Sequence, residues 1–118
     1  MTKNEELRER TKQFAIRIIR LFRALPNNAD AQIVGKQLLR CGTSVAANYR
    51  AVRLARSKAE FIARLGVVAE EADESVFWLE MIEESKMLNP KLLEEIMKEA
   101  RELAAIFSAS LKTARSNR

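Results

Sequence analysis

The chain contains no histidine and one cysteine, Cys41. Without histidine there is neither a side chain that titrates near neutral pH nor the imidazole of a Cys/His zinc site. One cysteine cannot form a disulfide within the chain. With no histidine to activate its thiol, Cys41 is interpreted as a small core residue. We therefore expect an intracellular protein that holds no metal and no cofactor.

Glycine and proline are also scarce, with 3 and 2 residues among 118. The sequence contains neither the glycine-rich loop that cradles phosphates nor the nucleophile elbow of hydrolases. Glu70 and Glu74 lie one helical turn apart, but the di-iron bundles also need Glu-x-x-His pairs, which a chain without histidine cannot supply. These absences predict a protein that is not an enzyme.

Long apolar runs are missing, and the first ten residues, MTKNEELRER, are mostly polar or charged. This composition gives no sign of a signal peptide or a membrane span. The length suits one hydrophobic core. We expect a cytoplasmic protein with no membrane contact, formed by a single domain that spans residues 1–118.

Ala, Leu, Glu, Lys and Arg dominate the composition, which favours helices. Apolar residues recur at steps of three and four in four segments that are separated by short breaks. This pattern, kept in all four segments, favours packing at about 20°. The sequence predicts an all-α fold, an up-down-up-down antiparallel four-helix bundle.

The boundaries of the first two helices follow from proline and asparagine. The first helix is predicted from about Asn4 to Leu25, because Pro26 cannot continue it. Asn27 and Asn28 then provide a turn and an N-cap for the second helix. The inner stripe of that helix is Val34, Leu38, Cys41, Val45 and Val52.

The third and fourth helices also have recognisable starts. Ser57 and Glu60 have the spacing of a capping box, so the third helix is predicted from there to about Lys86. Asn89 and Pro90 form a cap and first-turn pair that opens the fourth helix, whose tail, TARSNR, should fray. The inner stripe of the third helix is Phe61, Leu65, Val68, Ala72, Val76, Leu79 and Ile82.

Charge is divided unevenly along the chain. Residues 1–58 hold 13 Lys and Arg against 4 Asp and Glu, whereas residues 59–118 hold 8 against 12. Such asymmetry indicates either a half that binds a polyanion or oppositely charged surfaces that meet between subunits.

Small and polar residues interrupt the apolar pattern of the second helix. Gly42 begins a run of small residues that would let another helix approach closely. Asn48 falls on the inner stripe, where a buried amide could fix register or assembly. Tyr49 and Trp78 are among the apolar residues off the main stripes, which indicates either subunit association or scattered surface apolars.

A basic cluster follows the small residues, in Arg50, Arg53, Arg56 and Lys58. Arginine side chains match the oxygens of phosphates, so these residues are candidates for nucleic-acid binding. The alternative is a solvated face or pairing with the acidic run at positions 70–74, and the sequence does not decide between them. Further candidate neighbours of the cluster are Arg17, Arg20 and Arg40.

Three blocks carry a resemblance to a known family. QLLRCGTSVAANYR (37–50), SKAEFI (57–62) and EEADES (70–75) with the following FWLE resemble the four-helix-bundle proteins encoded in intervening sequences of 23S rRNA genes. That family is similar to the accessory variability proteins of diversity-generating retroelements, which form pentameric barrels and bind nucleic acid and a reverse transcriptase. The resemblance implies a ring-like homopentamer. In the family's N-x-R-E-A segment, here residues 48–52, Ala51 replaces the usual glutamate and makes this copy more basic.

Two functions follow as predictions. The first is a non-enzymatic homo-oligomer that binds nucleic acid, RNA more than DNA, through its basic surface. The alternative is a protein-interaction module, such as an accessory subunit of a retroelement reverse transcriptase.

Overall fold

The chain is described by a computed structural model that covers residues 1–117. Four α-helices follow one another, and the described residues contain no strand. A single turn of 3-10 helix, Pro90–Leu92, precedes the last helix. The helices are α1 (Lys3–Ala24), α2 (Ala29–Val52), α3 (Lys58–Glu84) and α4 (Glu94–Ser116). The predicted all-α class is confirmed.

Side-chain contacts fix the directions of the helices. Between α2 and α3, Arg40 pairs with Glu71, and Arg64 Nη1 donates to the carbonyl oxygen of Ala51 at 3.1 Å. Residue numbers thus rise on one helix as they fall on the other, so the two helices are antiparallel. The same reversal joins α3 to α4, through the contacts Glu80–Arg101 and Lys58–Asn117. The predicted four-helix bundle is confirmed. No helix within residues 1–117 is both long and apolar enough to cross a membrane.

All four helices contribute to one core. The predicted stripes supply most of it. Phe61, predicted on the stripe of α3, is 38% exposed, and its neighbour Ile62 is buried instead. Val34 and Val76 are only partly buried. The largest fully buried apolar side chains are Phe14, Ile18, Leu38, Val45, Val68, Leu79, Ile82, Leu93, Leu103 and Phe107.

The cap of α3 differs in part from its prediction. Ser57 does cap the helix, with its Oγ accepting from the backbone N–H of Glu60 at 3.1 Å. The Glu60 carboxylate does not complete the capping box, because it bonds to Arg64 at 2.8 Å and to Arg56 at 3.4 Å. Bonds to a guanidinium group add the attraction of its positive charge to the hydrogen bond, which a backbone N–H does not supply. They also lower the pKa of Glu60, with the Arg64 bond as the main cause.

The start and end of the last helix need correction as well. Asn89 caps the 3-10 turn, and α4 begins only at Glu94, after the fully buried Leu93. The prediction that the tail frays is wrong up to Ser116, where α4 ends; Arg118 lies outside the described residues. Next to the end of the helix, Lys58 Nζ donates to the carbonyl oxygen of Asn117.

An ion pair joins the first and last helices. Arg10 donates from Nε to Glu99 at 2.9 Å and from Nη2 to the other carboxylate oxygen at 2.6 Å. Arg10 also reaches Glu102 at 3.1 Å. The hydrogen bond from Arg10 lowers the pKa of Glu99. Two parallel bonds fix orientation as well as charge, so this pair sets how α1 lies on α4.

Replacing Arg10 with methionine should lower the free energy of unfolding by about 1 kcal/mol near neutral pH, because a partly exposed pair is screened by solvent. The pKa of Glu99 is lower in the folded chain than in the unfolded one. The stabilisation is therefore fully present above the ordinary glutamate pKa of about 4.3 and is lost as the pH falls through the folded value. Urea unfolding near neutral pH and at about pH 3 measures this difference. An equal loss at both pH values would contradict the assignment. Arg101→Met, which breaks a longer and more exposed pair with Glu80, is the control and should cost less.

Candidate nucleic-acid interface

A basic groove runs between the first half of α1 and the second half of α2. Its volume is about 840 Å³. Because Tyr49, near the end of α2, bonds to Asn4 at the start of α1, these two helices are antiparallel, and residues early in α1 lie beside residues late in α2. Two cations of α1 are four residues apart, and two at the end of α2 are three residues apart, so each pair lies on one helical face and borders the groove. These groove cations are Arg8, Lys12, Arg50 and Arg53.

Small side chains form the floor of the groove. Thr43, Ala46 and Ala47 of α2 line it. The hydroxyl of Thr43 donates to the carbonyl oxygen of Leu39 at 2.7 Å, so it is turned back onto its own helix. A flat floor flanked by long cationic side chains suits an extended anionic chain such as a nucleic-acid backbone.

The groove is positively charged on balance. In residues 1–117, none of the groove cations takes part in an ion pair. Two carboxylates, those of Glu5 and Glu9, also line the groove, and their hydrogen-bond partners are uncharged, so the four cationic side chains outnumber the carboxylates by two. Glu5 accepts from the backbone N–H of Thr2 at 3.3 Å, and Glu9 accepts from Gln13 at 3.0 Å. The groove can therefore offer its guanidinium and ammonium groups to phosphates.

Arg40 lies elsewhere, on the side of α2 that faces α3. Its guanidinium bonds to Glu74 and, at 3.3 Å, to Glu71. The hydrogen bond with Glu74 raises the pKa of Arg40. Pairing within the bundle, the alternative that the sequence left open, is thus the arrangement found for Arg40.

The remaining sequence candidates are also apart from the groove. Arg17 and Arg20 lie beside the start of α4, around a shallow cavity of about 260 Å³ that Leu92 and Ile96 help to line. Arg56 is exposed in the turn between α2 and α3, and Lys58 is held at the start of α3 by Asn117. The structure therefore does not gather the predicted basic residues onto one face.

Sequence reasoning missed two of the groove cations, Arg8 and Lys12. They are four residues apart on α1, the spacing that places side chains on the same helical face. That spacing was the available signal. Only the antiparallel packing of α1 on α2 shows that this face lies opposite Arg50 and Arg53.

The small residue Gly42 lies where α2 packs closely against α1. A Cβ placed on Gly42 would lie 2.8 Å from Cγ1 of Ile18, which is fully buried. Asn48, expected on the inner stripe, is only partly buried, and its Nδ2 donates to the carbonyl oxygen of Ser44 at 2.9 Å. The Asn48 side chain therefore bonds within its own helix.

The two other residues assigned to packing or assembly are partly buried. The ring of Tyr49 packs against Phe107 with 5.2 Å between centroids, and its hydroxyl donates to Asn4 at 3.2 Å. Burial raises the pKa of Tyr49. Trp78 meets Phe77 edge-on, and its indole N–H donates to Glu74 at 3.2 Å.

One cluster has the atoms of a metal site. The ligand atoms of Cys41, Glu71 and Glu74 lie within 4.8 Å of one another. Arg40 already bonds to both carboxylates. Burial raises the pKa of Cys41, which disfavours the thiolate that a metal would need. The cluster is best explained as an ion-pair network between α2 and α3.

The comparisons with known proteins agree with the fold. No curated protein matches the chain. A solved structure from Bacteroides thetaiotaomicron VPI-5482, a protein of unknown function from the S23 ribosomal protein family, is similar, with a TM-score of 0.85 and 31% identity. The match covers 94% of this chain and 99% of that one. The family model of the 23S rRNA-intervening sequence protein matches residues 3–109. The chain belongs to the 23S rRNA-intervening sequence protein family.

Proposed function

We propose that the chain is a non-enzymatic protein that binds structured RNA by its phosphate backbone. The observation that carries this proposal is the groove between α1 and α2, where four cations from two helices flank a floor of small residues. Cations so placed neutralise phosphates and release counterions, whatever the base sequence. The family name refers to an intervening sequence of 23S rRNA and not to a ligand, so a direct comparison of RNA with DNA decides between the two targets.

We further propose that the chain acts as a homo-oligomer, a pentamer as the family resemblance implies. The outer face of α3, opposite its buried stripe, carries the exposed apolar residues Val67, Phe77 and Met81. Large apolar side chains exposed along one helix are typical of protein contacts. Assembly would repeat the groove in each subunit and raise the avidity for a long polyanion.

The purified protein should bind an RNA hairpin and, more weakly, a DNA duplex of equal length at low salt. Light scattering on the same sample should give the mass of a pentamer. Binding to neither nucleic acid at low salt by a folded protein would overturn the proposed function. In that case the apolar face of α3 would favour the second candidate, an accessory subunit that contacts another protein such as a reverse transcriptase.

A further inference from the structure

A second cavity, of about 360 Å³, lies at the end of the bundle next to the basic groove. The start of α1, the end of α2, the start of α3 and the end of α4 all contribute to it. We call it the end pocket. Its lining is partly shared with the groove, because Arg8 and Arg53 border both. A ligand in the pocket can therefore touch groove cations at the same time.

Three aromatic rings shape the end pocket. Phe107 is fully buried, Tyr49 is partly buried and tilts at 47° to Phe107, and Phe61 is 38% exposed. Val52 and Leu65, both buried, add aliphatic surface. Phe61 is the residue that departs from the predicted stripe of α3, and it lines both the end pocket and another cavity along α4. An exposed aromatic ring at a pocket mouth is a stacking surface for a planar group.

Polar groups surround these rings. Asn4 accepts from the Tyr49 hydroxyl through Oδ1, which holds its amide beside the pocket. Ser57 and Ser110 also line the cavity. Planar rings, a few polar groups and adjacent guanidinium groups together select a ligand that carries both an aromatic heterocycle and a phosphate.

We propose that the end pocket takes the base of an unpaired nucleotide in the bound RNA, with the adjoining phosphate against Arg8 and Arg53. This inference rests on the proposed function and specifies it. Structured RNA offers such bases in its loops, where they can unstack and pack on protein aromatic rings. The cavity is at the small end of the range for ligand pockets, about 300–1,000 Å³, which suits one nucleotide. A fully paired duplex keeps its bases stacked and would contact the groove alone.

The test uses an RNA hairpin with 2-aminopurine in its unpaired loop, and a blunt duplex of the same stem. Phe61→Ala should weaken hairpin binding by about tenfold, since stacking of one base on an aromatic ring contributes on that order. Duplex affinity should stay the same. Phe61→Tyr keeps the ring and should bind as the unchanged protein does. Ile33→Ala removes an exposed apolar side chain near the start of α2, at the opposite end of that helix from the pocket, and serves as the control.

The fluorescence of the loop 2-aminopurine should change on binding to the unchanged protein and less with Phe61→Ala. If hairpin and duplex bind with equal affinity and Phe61→Ala changes neither, the end pocket does not bind a base. The groove would then remain the proposed site of phosphate binding. Tighter binding of free AMP than of the hairpin would overturn the assignment to an RNA base. If neither hairpin nor duplex binds, the proposed function fails and the pocket inference fails with it.

Discussion

Replacing Arg50 and Arg53 with glutamate is expected to weaken binding of an RNA hairpin by about 100-fold at low salt. Both side chains line the groove, and neither takes part in an ion pair within residues 1–117. A hydrogen bond to a charged group is worth about 1.5–3 kcal/mol, so two lost contacts give about 3 kcal/mol or more. The measurement is a binding titration. Both arginines are exposed, so the fold should be kept.

The matched control replaces Lys98 and Lys112, both on α4, with glutamate. Both are exposed, and the double replacement changes the net charge by the same amount as the groove variant. It should leave RNA affinity nearly unchanged, because neither residue lines the groove. Equal losses in the two variants would mean that overall charge governs binding, and the groove would no longer be the site.

Replacing Gly42 with leucine is expected to lower the free energy of unfolding by about 3 kcal/mol, because it overpacks a full helix contact. Even a Cβ there would lie 2.8 Å from Cγ1 and 3.0 Å from Cγ2 of Ile18. Ile18 is fully buried and is β-branched, so it cannot turn aside without disturbing its neighbours. To relieve the contact, α1 and α2 must separate. Urea unfolding measures the resulting loss in the free energy of unfolding.

Replacing Gly66 on α3 with leucine is the control, because a side chain at this position does not press against another helix. A Cβ at Gly66 meets nothing within 4 Å. Leucine at this position should raise the free energy of unfolding by about 0.5–1 kcal/mol, since glycine is a poor helix former. If Gly42→Leu were as stable as Gly66→Leu, the close approach of α1 to α2 would not be a constraint on the fold.

Much of the bundle could be predicted from local signals. Asn28 caps α2, with its side chain accepting from Ala31 at 3.0 Å, and Ser57 caps α3, as their positions before apolar runs indicate. Apolar periodicity identified most of the buried stripe of each helix. Phe61 and Ile62 are adjacent apolar residues at a helix start, where periodicity alone does not decide which one faces the core. In the structure Phe61 lines the end pocket, where its side chain is partly exposed.

The candidate site was harder to predict because it depends on which faces meet. Arg40 follows the same basic pattern as Arg50, yet it lies across from Glu71 and Glu74 and is paired there. The spacing of Arg8 and Lys12 places both on one face of α1, but only the packing of α1 on α2 shows that this face lies opposite Arg50. A sequence shows the helical face on which a charged residue lies. Whether that residue is free to bind a ligand or is paired with an opposite charge depends on the residues of the neighbouring helix. That information is contained in the packing.

The salt dependence of RNA binding tests the central claim most directly. The logarithm of the binding constant falls linearly with the logarithm of the salt concentration, with a slope of about 0.9 for each phosphate neutralised in a duplex stem. The unchanged protein should show a steep slope. Arg50→Glu with Arg53→Glu should make that slope shallower by about 2 for each subunit that contacts the RNA. An identical slope for the two proteins would show that the groove between α1 and α2 does not hold the phosphates.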